Sequence, residues 1–418
     1  MDLKSSKAQN LLRIISLLQQ EREMTRQELA SAMGISMPTV LHAIEELQTA
    51  GILTETGKQA STGGRRASVL SLDESCGFGI GIQVARRFVE FALTDMTGRI
   101  LAAKQLVHPF RDQTAWYRKL GVMLLDFLTE EKVDGRKVIG VGISFPGIID
   151  QEGQMILHSH VFHLINISLD RFYRYIPFPL IISNDSNCAC RAEQRGGEES
   201  YLYLSLNETV GGALMIHQDL YTGRHWQAGE VGHMILHPGG RTCYCGKAGC
   251  ADAYLTAELL MDGQTEGEQE AETAARQKSG QEAEKAERQK PGQEAEKQVE
   301  KTEGQVAASD RDKIRDFFRR LKAGDPKTDS VWKIYLNDLA ILVSNVRMLL
   351  DMDIVIGGDV GACMEEYIDE LAELTETYDL FCRDVDYISA CRCKNHIFSK
   401  GAALQAINTF SDSLVEKL

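Results

Sequence analysis

The chain has 418 residues, 43% of them hydrophobic, and a formal net charge of −14. That length leaves room for more than one globular domain, and the acidity excludes a protein that grips nucleic acid through its overall charge. No apolar run reaches the roughly 18 residues of a membrane span, and MDLKSSKAQN lacks the layout of a secretory signal, so a cytoplasmic protein without membrane contact is expected.

The first 72 residues are close to charge-neutral and escape the acidity of the whole. Leu11, Leu12, Ile14, Ile15, Leu17 and Leu18 predict a first helix with one apolar stripe. Thr25 with Glu28 three residues on predicts a capping box on a short second helix, and Gly34 supplies the turn after it. Ser36 then caps a third helix with Pro38 in its first turn and Val40, Ala43, Ile44 and Leu47 along its back, ended by Gly51. Two short helices joined at a glycine read as a helix-turn-helix. The outward positions Ser36, Met37, Thr39 and His42 are the ones that reach base edges of double-stranded operator DNA. Residues 52–56 and 67–72 read as two short strands around GKQASTGGRR, a tip without acidic residues. Its Lys58, Arg65 and Arg66 suit a wing on phosphate or in the minor groove. A helical protein-interaction module with a solvated loop is the other reading of these residues.

From residue 78 the texture changes. FGIGIQV, FVEFALTD and ILAAKQLV predict three strands in succession, and VIGVGISFPGIID a buried strand ending in a Pro-Gly loop. PLIISND is a strand with polar residues at its end, YLYLSLN and GGALMIH read as paired strands, and DIVIGGD runs into a glycine pair before a helix. Residues 331–350 predict a long helix whose broad apolar face carries Trp332, Leu336, Leu339, Ile341, Leu342, Val346 and Leu349. The fold class is mixed α/β. Residues 262–310 differ from everything around them, with 13 acidic and 7 basic side chains and an imperfect repeat, RQKSGQEAEKAE then RQKPGQEAEK. Such a segment has too little apolar surface for a core and is expected to be a disordered or transiently helical surface loop.

Ten cysteines in a chain without export signals point to metal ligands or buried thiols instead of disulfides. Residues 229–252, GEVGHMILHPGGRTCYCGKAGCAD, place His233, Cys243, Cys245 and Cys250 within one loop's reach, with Gly239, Gly240, Gly246 and Gly249 to turn it. Three thiolates and an imidazole are a preferred set for structural Zn²⁺, and four protein ligands leave no open position for catalysis. Cys391, Cys393 and His396 make only an incomplete second set and read as buried thiols beside a histidine.

GEVGH followed by CYCGKAGC resembles the signature of the ROK family, the group of repressors and sugar kinases, and the resemblance covers residues from about 76 to 414 apart from the insertion. It implies a two-lobed actin-like ATPase (ribonuclease H-like) fold with a cleft, here preceded by an N-terminal winged helix-turn-helix domain. The expected domains are 1–72 for the winged helix, 76–261 with 311–418 for the two lobes, and 262–310 for the insertion. Position by position, the resemblance implies sugar ligands at Asn184, Asp185, Glu230, His233 and Asp252, with Gly147 contributing its backbone. Asp185 matches the base of the kinases. Two departures stand out: the family usually has glutamate where Asp252 stands, and an Asn-containing PN motif where this chain reads HSHVFHLINISL.

The phosphate loops also depart. The kinases' DxGGT falls on GIGIQVARR, which puts Gly81, Gln83, Val84 and Ala85 at its aspartate, two glycines and threonine. Side chains there block the approach of backbone N–H groups to phosphate. GTGxGGG falls on NETVGGA, with Asn207, Glu208 and Thr209 in its first three places, and only IGGDVG at 356–361 stays near its pattern. The expectation is a non-enzymatic, sugar-responsive repressor of carbohydrate-utilisation genes, with a homodimer or dimer of dimers on DNA. The alternatives are an active ATP-dependent sugar kinase with an appended DNA-binding domain, and a sugar-binding scaffold whose winged helix contacts protein.

Overall fold

The computed structural model describes residues 6–58, 68–193, 200–217, 219–262, 310–379, 386–411 and 415. Arg65, Arg66, the side chain of Lys58 and nearly all of the 262–310 insertion lie outside the described residues. The amino-terminal region runs α1 (Ser6–Glu21), β1 (Met24–Thr25), α2 (Arg26–Met33), α3 (Met37–Thr49), β2 (Leu53–Lys58) and β3 (Ser68–Leu72). The capping box forms: Glu28 N donates to Thr25 Oγ1 at 3.2 Å, and Thr25 N donates to Glu28 Oε2 at 2.7 Å. Gly34 takes the left-handed conformation after α2, at φ 66°. Ser36 occupies the N-cap position of α3, but its hydroxyl lies 2.8 Å from that of Thr39 and makes no capping bond to a backbone amide. Val40, Ala43, Ile44 and Leu47 are buried as their spacing requires. Strands β1, β3 and β2 form an antiparallel sheet in that order, the β2–β3 pair being the stem of the wing.

A five-stranded sheet follows, in the order β11-β7-β4-β5-β6. Strands β4 (Phe78–Val84), β5 (Phe88–Thr94) and β6 (Ile100–Val107) form an antiparallel meander. Strand β7 (Val138–Phe145) runs parallel to β4, and β11 (Leu180–Asn184) parallel to β7. Helix α4 (Thr114–Glu130) and the short α5 (Asp170–Tyr173) contribute Phe127 and Phe172 to a core with Ile80, Ile82, Phe91 and Phe145. A small antiparallel sheet, β8 (Ile148–Asp150), β9 (Met155–Ser159) and β10 (Leu164–Ser168), comes between β7 and α5 in sequence, and α6 (Asp185–Glu193) follows β11.

The glycines of FGIGIQV and VIGVGISF have a shared purpose. They alternate onto one face, where Gly79 pairs with Gly140 and Gly81 with Gly142. A Cβ on Gly81 would stand 1.6 Å from Ser399 O, and one on Gly142 1.9 Å from Ala402 O. Both acceptor residues belong to α12 (Ile397–Phe410), so that helix rests its backbone directly on the sheet.

The second five-stranded sheet has the order β14-β13-β12-β15-β16, from β12 (Tyr201–Leu206), β13 (Val210–Ile216), β14 (Asp219–Tyr221), β15 (Asp353–Gly357) and β16 (Ile388–Ala390). YLYLSLN and GGALMIH are thus neighbours, as expected. Its helices are α7 (Ala257–Asp262), α8 (Asp310–Lys322), α9 (Pro326–Leu350), α10 (Gly358–Gly361) and α11 (Ile368–Glu376). Helix α9 starts ahead of residue 331 because Asp325 caps it, accepting from Lys327 N, with Pro326 in the first turn. Trp332, Leu336, Leu339, Leu342 and Val346 are buried, whereas Leu349 is 74% exposed near the end of the helix.

The chain divides into two compact units: Met1–Tyr203 with Gly212–Gly229 and Arg392–Leu418, and Leu204–Gly211 with Glu230–Cys391. The winged helix belongs to the first, where its core is continuous with Met96, Ile139 and Ile407. Among the described residues no helix is long and apolar enough to cross a membrane.

Because the carbonyl that faces Gly81 belongs to a helix backbone, Gly81→Ala forces main chain to move. We expect a loss at or beyond the upper end of the roughly 1–3 kcal/mol of core overpacking, read as a lower urea midpoint. A midpoint unchanged from the parent would contradict this packing.

Candidate functional site

The four residues that could hold a metal ion lie in the second unit. His233 ends a single helical turn, Val231–His233, and the chain then folds back so that Ile235 bridges Cys250 and Thr242 bridges Ala248. Cys243 N donates to Lys247 O at 2.8 Å and Gly246 N to Cys243 O at 2.9 Å, which closes the knuckle. Gly246 and Gly249 have φ of 87° and 89°. At Gly249 a Cβ would also stand 1.8 Å from His237 O, so the turn admits glycine alone.

This fold gathers His233, Cys243, Cys245 and Cys250 so that their ligand atoms all lie within 4.8 Å of one another. Cys243 Sγ is 3.8 Å from His233 Nδ1, and Cys245 Sγ is 3.7 Å from Cys250 Sγ. Bonds of about 2.3 Å at tetrahedral angles give sulfur–sulfur edges of roughly 3.8 Å. Donor set and spacing therefore fit a metal ion, and no other such group occurs among the described residues. Burial raises the Cys243 and Cys250 thiols, and at Cys245 the Lys247 N–H and the neighbouring sulfurs outweigh burial to lower that one. Ionising three adjacent sulfurs together takes a cation among them.

With His233 Nδ1 on the sulfur side, Nε2 faces Glu230, whose Oε2 is 4.0 Å away. Asp252 is 3% exposed and accepts from Val210 N, while burial, aided by Glu230, pushes its carboxyl up to about 7. Glu230, His233 and Asp252 thus stand in one neighbourhood. Sequence spacing gave no sign of the brace behind the knuckle. His237 Nε2 lies 2.8 Å from the buried Asp338 Oδ1 on α9, Tyr254 OH accepts from Arg241 N at 2.7 Å, and the Arg241 guanidinium lies over the Tyr254 ring.

In the first unit, Asn184 ends β11 and Asp185 begins α6. Asn184 Nδ2 donates to Gly147 O at 3.0 Å and its Oδ1 accepts from Asn187 N at 3.1 Å. One carboxamide therefore joins the Pro-Gly loop to the start of α6. Asp185 Oδ1 accepts from Ser186 N at 2.9 Å.

The stretches around Gly81 and Asn207 are occupied by internal contacts. Gly81 is closed over by α12, Gln83 pairs with Glu90 across β4 and β5, and Ala85 N donates to Phe88 O at 3.0 Å. Glu90, 3% exposed, accepts from Ser399 Oγ at 2.6 Å and pairs with His396 Nδ1 at 3.0 Å. In the second unit, Asn207 Oδ1 accepts from Asp359 N at 2.7 Å and its Nδ2 donates to Ser205 Oγ at 2.7 Å. Asp359 in turn pairs with Arg311 at 2.7 Å.

On α3 the four positions Ser36, Met37, Thr39 and His42 are all exposed, opposite the buried stripe. His42 Nε2 lies 3.2 Å from Glu46 Oε1, which also pairs with Lys7. Arg26 reaches Ser68 and Glu55 and so ties α2 to the stem of the wing.

A winged helix-turn-helix DNA-binding profile matches residues 8–54, and the ROK family profile matches residues 79–406. The chain is 28% identical over 244 residues to the xylose repressor of Bacillus spizizenii, across 57% of this chain and 63% of that one. The match thus spans under two thirds of that relative's length. A crystal structure of a ROK family transcriptional regulator described as a homolog of the E. coli MLC protein superposes with a TM-score of 0.68 at 20% identity, covering 98% of both chains. The ROK hexokinase of Thermus thermophilus superposes with a TM-score of 0.57 at 23% identity, covering 80% of this chain and 99% of that one. These two likenesses speak to the fold. With its family profile running through both units, the chain belongs to the ROK family.

Proposed function

We propose that the protein is a sugar-responsive transcriptional repressor that does not phosphorylate its sugar. The observation that carries this reading is one chain with two features: a recognition-type helix with Ser36, Met37, Thr39 and His42 exposed, and a ROK domain whose phosphate-loop positions are filled by its own side chains and hydrogen bonds. Likeness to a protein named xylose repressor supports it. Residues 1–72 form the DNA-binding domain, 76–261 with 311–418 the effector domain, and 262–310 an insertion between its parts. Two copies of α3 in a dimer, or in a dimer of dimers, read the half-sites of a pseudo-palindrome.

The metal in this reading is zinc, held by His233, Cys243, Cys245 and Cys250; when bound it orders the knuckle and carries no catalytic step. His233 then turns its Nε2 side toward the effector. Asn184, Asp185, Glu230, His233 and Asp252 bind sugar hydroxyls, each carboxylate or amide engaging hydroxyl pairs, and Gly147 supports Asn184 from behind. Sugar acts on DNA affinity only as far as it binds the DNA-competent and DNA-incompetent states differently.

ATP binding of the kinase type asks for bare backbone amides. Gln83, Val84 and the tied Asn207 replace them, and Glu208 adds negative charge beside where the phosphates of ATP would come. The kinase reading keeps one favourable observation, the likeness to a ROK hexokinase, so the same preparation is to be assayed for ATPase activity with hexoses, pentoses and N-acetylated sugars. We expect no turnover above background; robust phosphorylation of any of them would sink the non-enzymatic reading.

Gel shifts on DNA upstream of the protein's own gene test the repressor reading. Thr39→Ala or His42→Ala should weaken specific binding about tenfold with far-UV circular dichroism unchanged, and the sensed sugar should shift affinity by roughly 5–150-fold. Salt-independent binding, indifferent to these substitutions, would favour a protein-docking winged helix instead. For the metal, elemental analysis of purified protein should find zinc bound, and Cys245→Ser should lose it and lower the thermal midpoint by about 5 °C or more. A metal-free protein with its midpoint intact would remove zinc from this account.

A further inference from the structure

On the outward face of α3, Leu41 joins the residues already named. Met37 is 37% exposed and Leu41 43%, while Val40, Ala43, Ile44 and Leu47 on the other side of the same helix are buried. Standing at i and i+4, Met37 and Leu41 lie one above the other on a single face. One exposed leucine on a protein surface is ordinary. An apolar pair on the helix that enters the groove bears on which bases are read.

The rest of that face sharpens the point. From Ser36 to Glu45 there is no Lys, Arg, Asn or Gln. Arg and Lys pair with guanine O6 and N7, and Asn and Gln pair with adenine N6 and N7, so the amino-terminal turns of α3 lack the usual bidentate readers of both purines. The polar groups that remain are engaged with one another: Ser36 Oγ lies 2.8 Å from Thr39 Oγ1, and His42 Nε2 lies 3.2 Å from Glu46 Oε1. Glu45 is exposed and acidic, and as a carboxylate can only accept, as from cytosine N4.

Thymine suits what is left. Its C5-methyl group is the apolar feature of the major-groove edges, and an apolar side chain recognises it by contact. The rise from Met37 to Leu41 is about 6 Å, close to the roughly 7 Å of two base-pair steps. A helix lying along the groove can therefore set each side chain over a methyl group.

We infer that Leu41, together with Met37, is a specificity-determining contact to DNA, packing on the C5-methyl groups of two thymines within two base-pair steps of each other in each half-site. The inference rests on the proposed DNA-binding function and adds to it the class of base that α3 reads.

Selection of duplexes from a random-sequence library by the full-length protein tests it, followed by replacement of each thymine of the enriched site, one at a time, with deoxyuridine. That exchange removes only the methyl group. At two thymines of the half-site it should weaken binding about fourfold each, the worth of one buried methyl. With Leu41→Ala one of these two losses should vanish, and with Leu41→Met, which keeps an apolar reach, it should return. The scan on the parent protein needs no variant, so a misfolded Leu41→Ala leaves the test standing. Enriched sites without thymine in the half-site, indifference to deoxyuridine, or equal losses for the parent and Leu41→Ala would overturn the inference and leave a sequence-specific regulator. Enrichment of no sequence at all would overturn the regulator reading, and the inference with it.

Discussion

Helix α12 lying on a sheet without side chains between them is the constraint from which much of the first unit follows. Gly81 and Gly142 let carbonyls of the helix approach to where a Cβ would be, and Gly401 repeats the arrangement against Cys188 O of α6. Sheet, α12 and α6 are thereby held at backbone distance, with little freedom to slide. Close packing transmits displacement because interiors are dense and poorly compressible. Asn184 ends β11 of this sheet and Arg191 lies on α6, while Ile407 of α12 belongs to the winged-helix core.

The same packing bears on chemistry. No side chain has room at position 81 beneath Ser399 O. The carboxylate that does lie nearby, Glu90, is buried, accepts a hydrogen bond from Ser399 of that helix and lies beside its N-cap residue His396. Asn207 plays a comparable part in the second unit, where its carboxamide holds Asp359 N and Ser205 Oγ. Both side chains are engaged in fixing secondary structure.

The His/Cys knuckle is more self-contained. Its four candidate ligands come from 18 residues of chain, His233 to Cys250, and its turns rest on glycines within them. What comes from afar is the support: Asp338 of α9 holds His237, and Val210 of β13 holds Asp252. These braces fix the knuckle's orientation, and with it the direction in which Glu230 and His233 face.

The sequence by itself determined what depends on local spacing. The capping box at Thr25, the buried stripe and exposed face of α3, the strands from 78 to 107 and the gathering of His233, Cys243, Cys245 and Cys250 were all legible, because each is set by neighbours within a few residues or by side-chain type. Asn184 with Gly147 came from family resemblance, and the structure adds that the two are bonded. Tertiary structure alone decided the rest. The role of the β4 glycines shows only when α12, more than 300 residues later, is laid on them. Ser36 looked like a capping side chain, but Thr39 offered its hydroxyl first. Asp338 as a partner of His237 and Gln405 as a partner of Arg191 carry no local signal, since contacts between residues hundreds of positions apart are settled by how packed surfaces meet and not by the order of the chain.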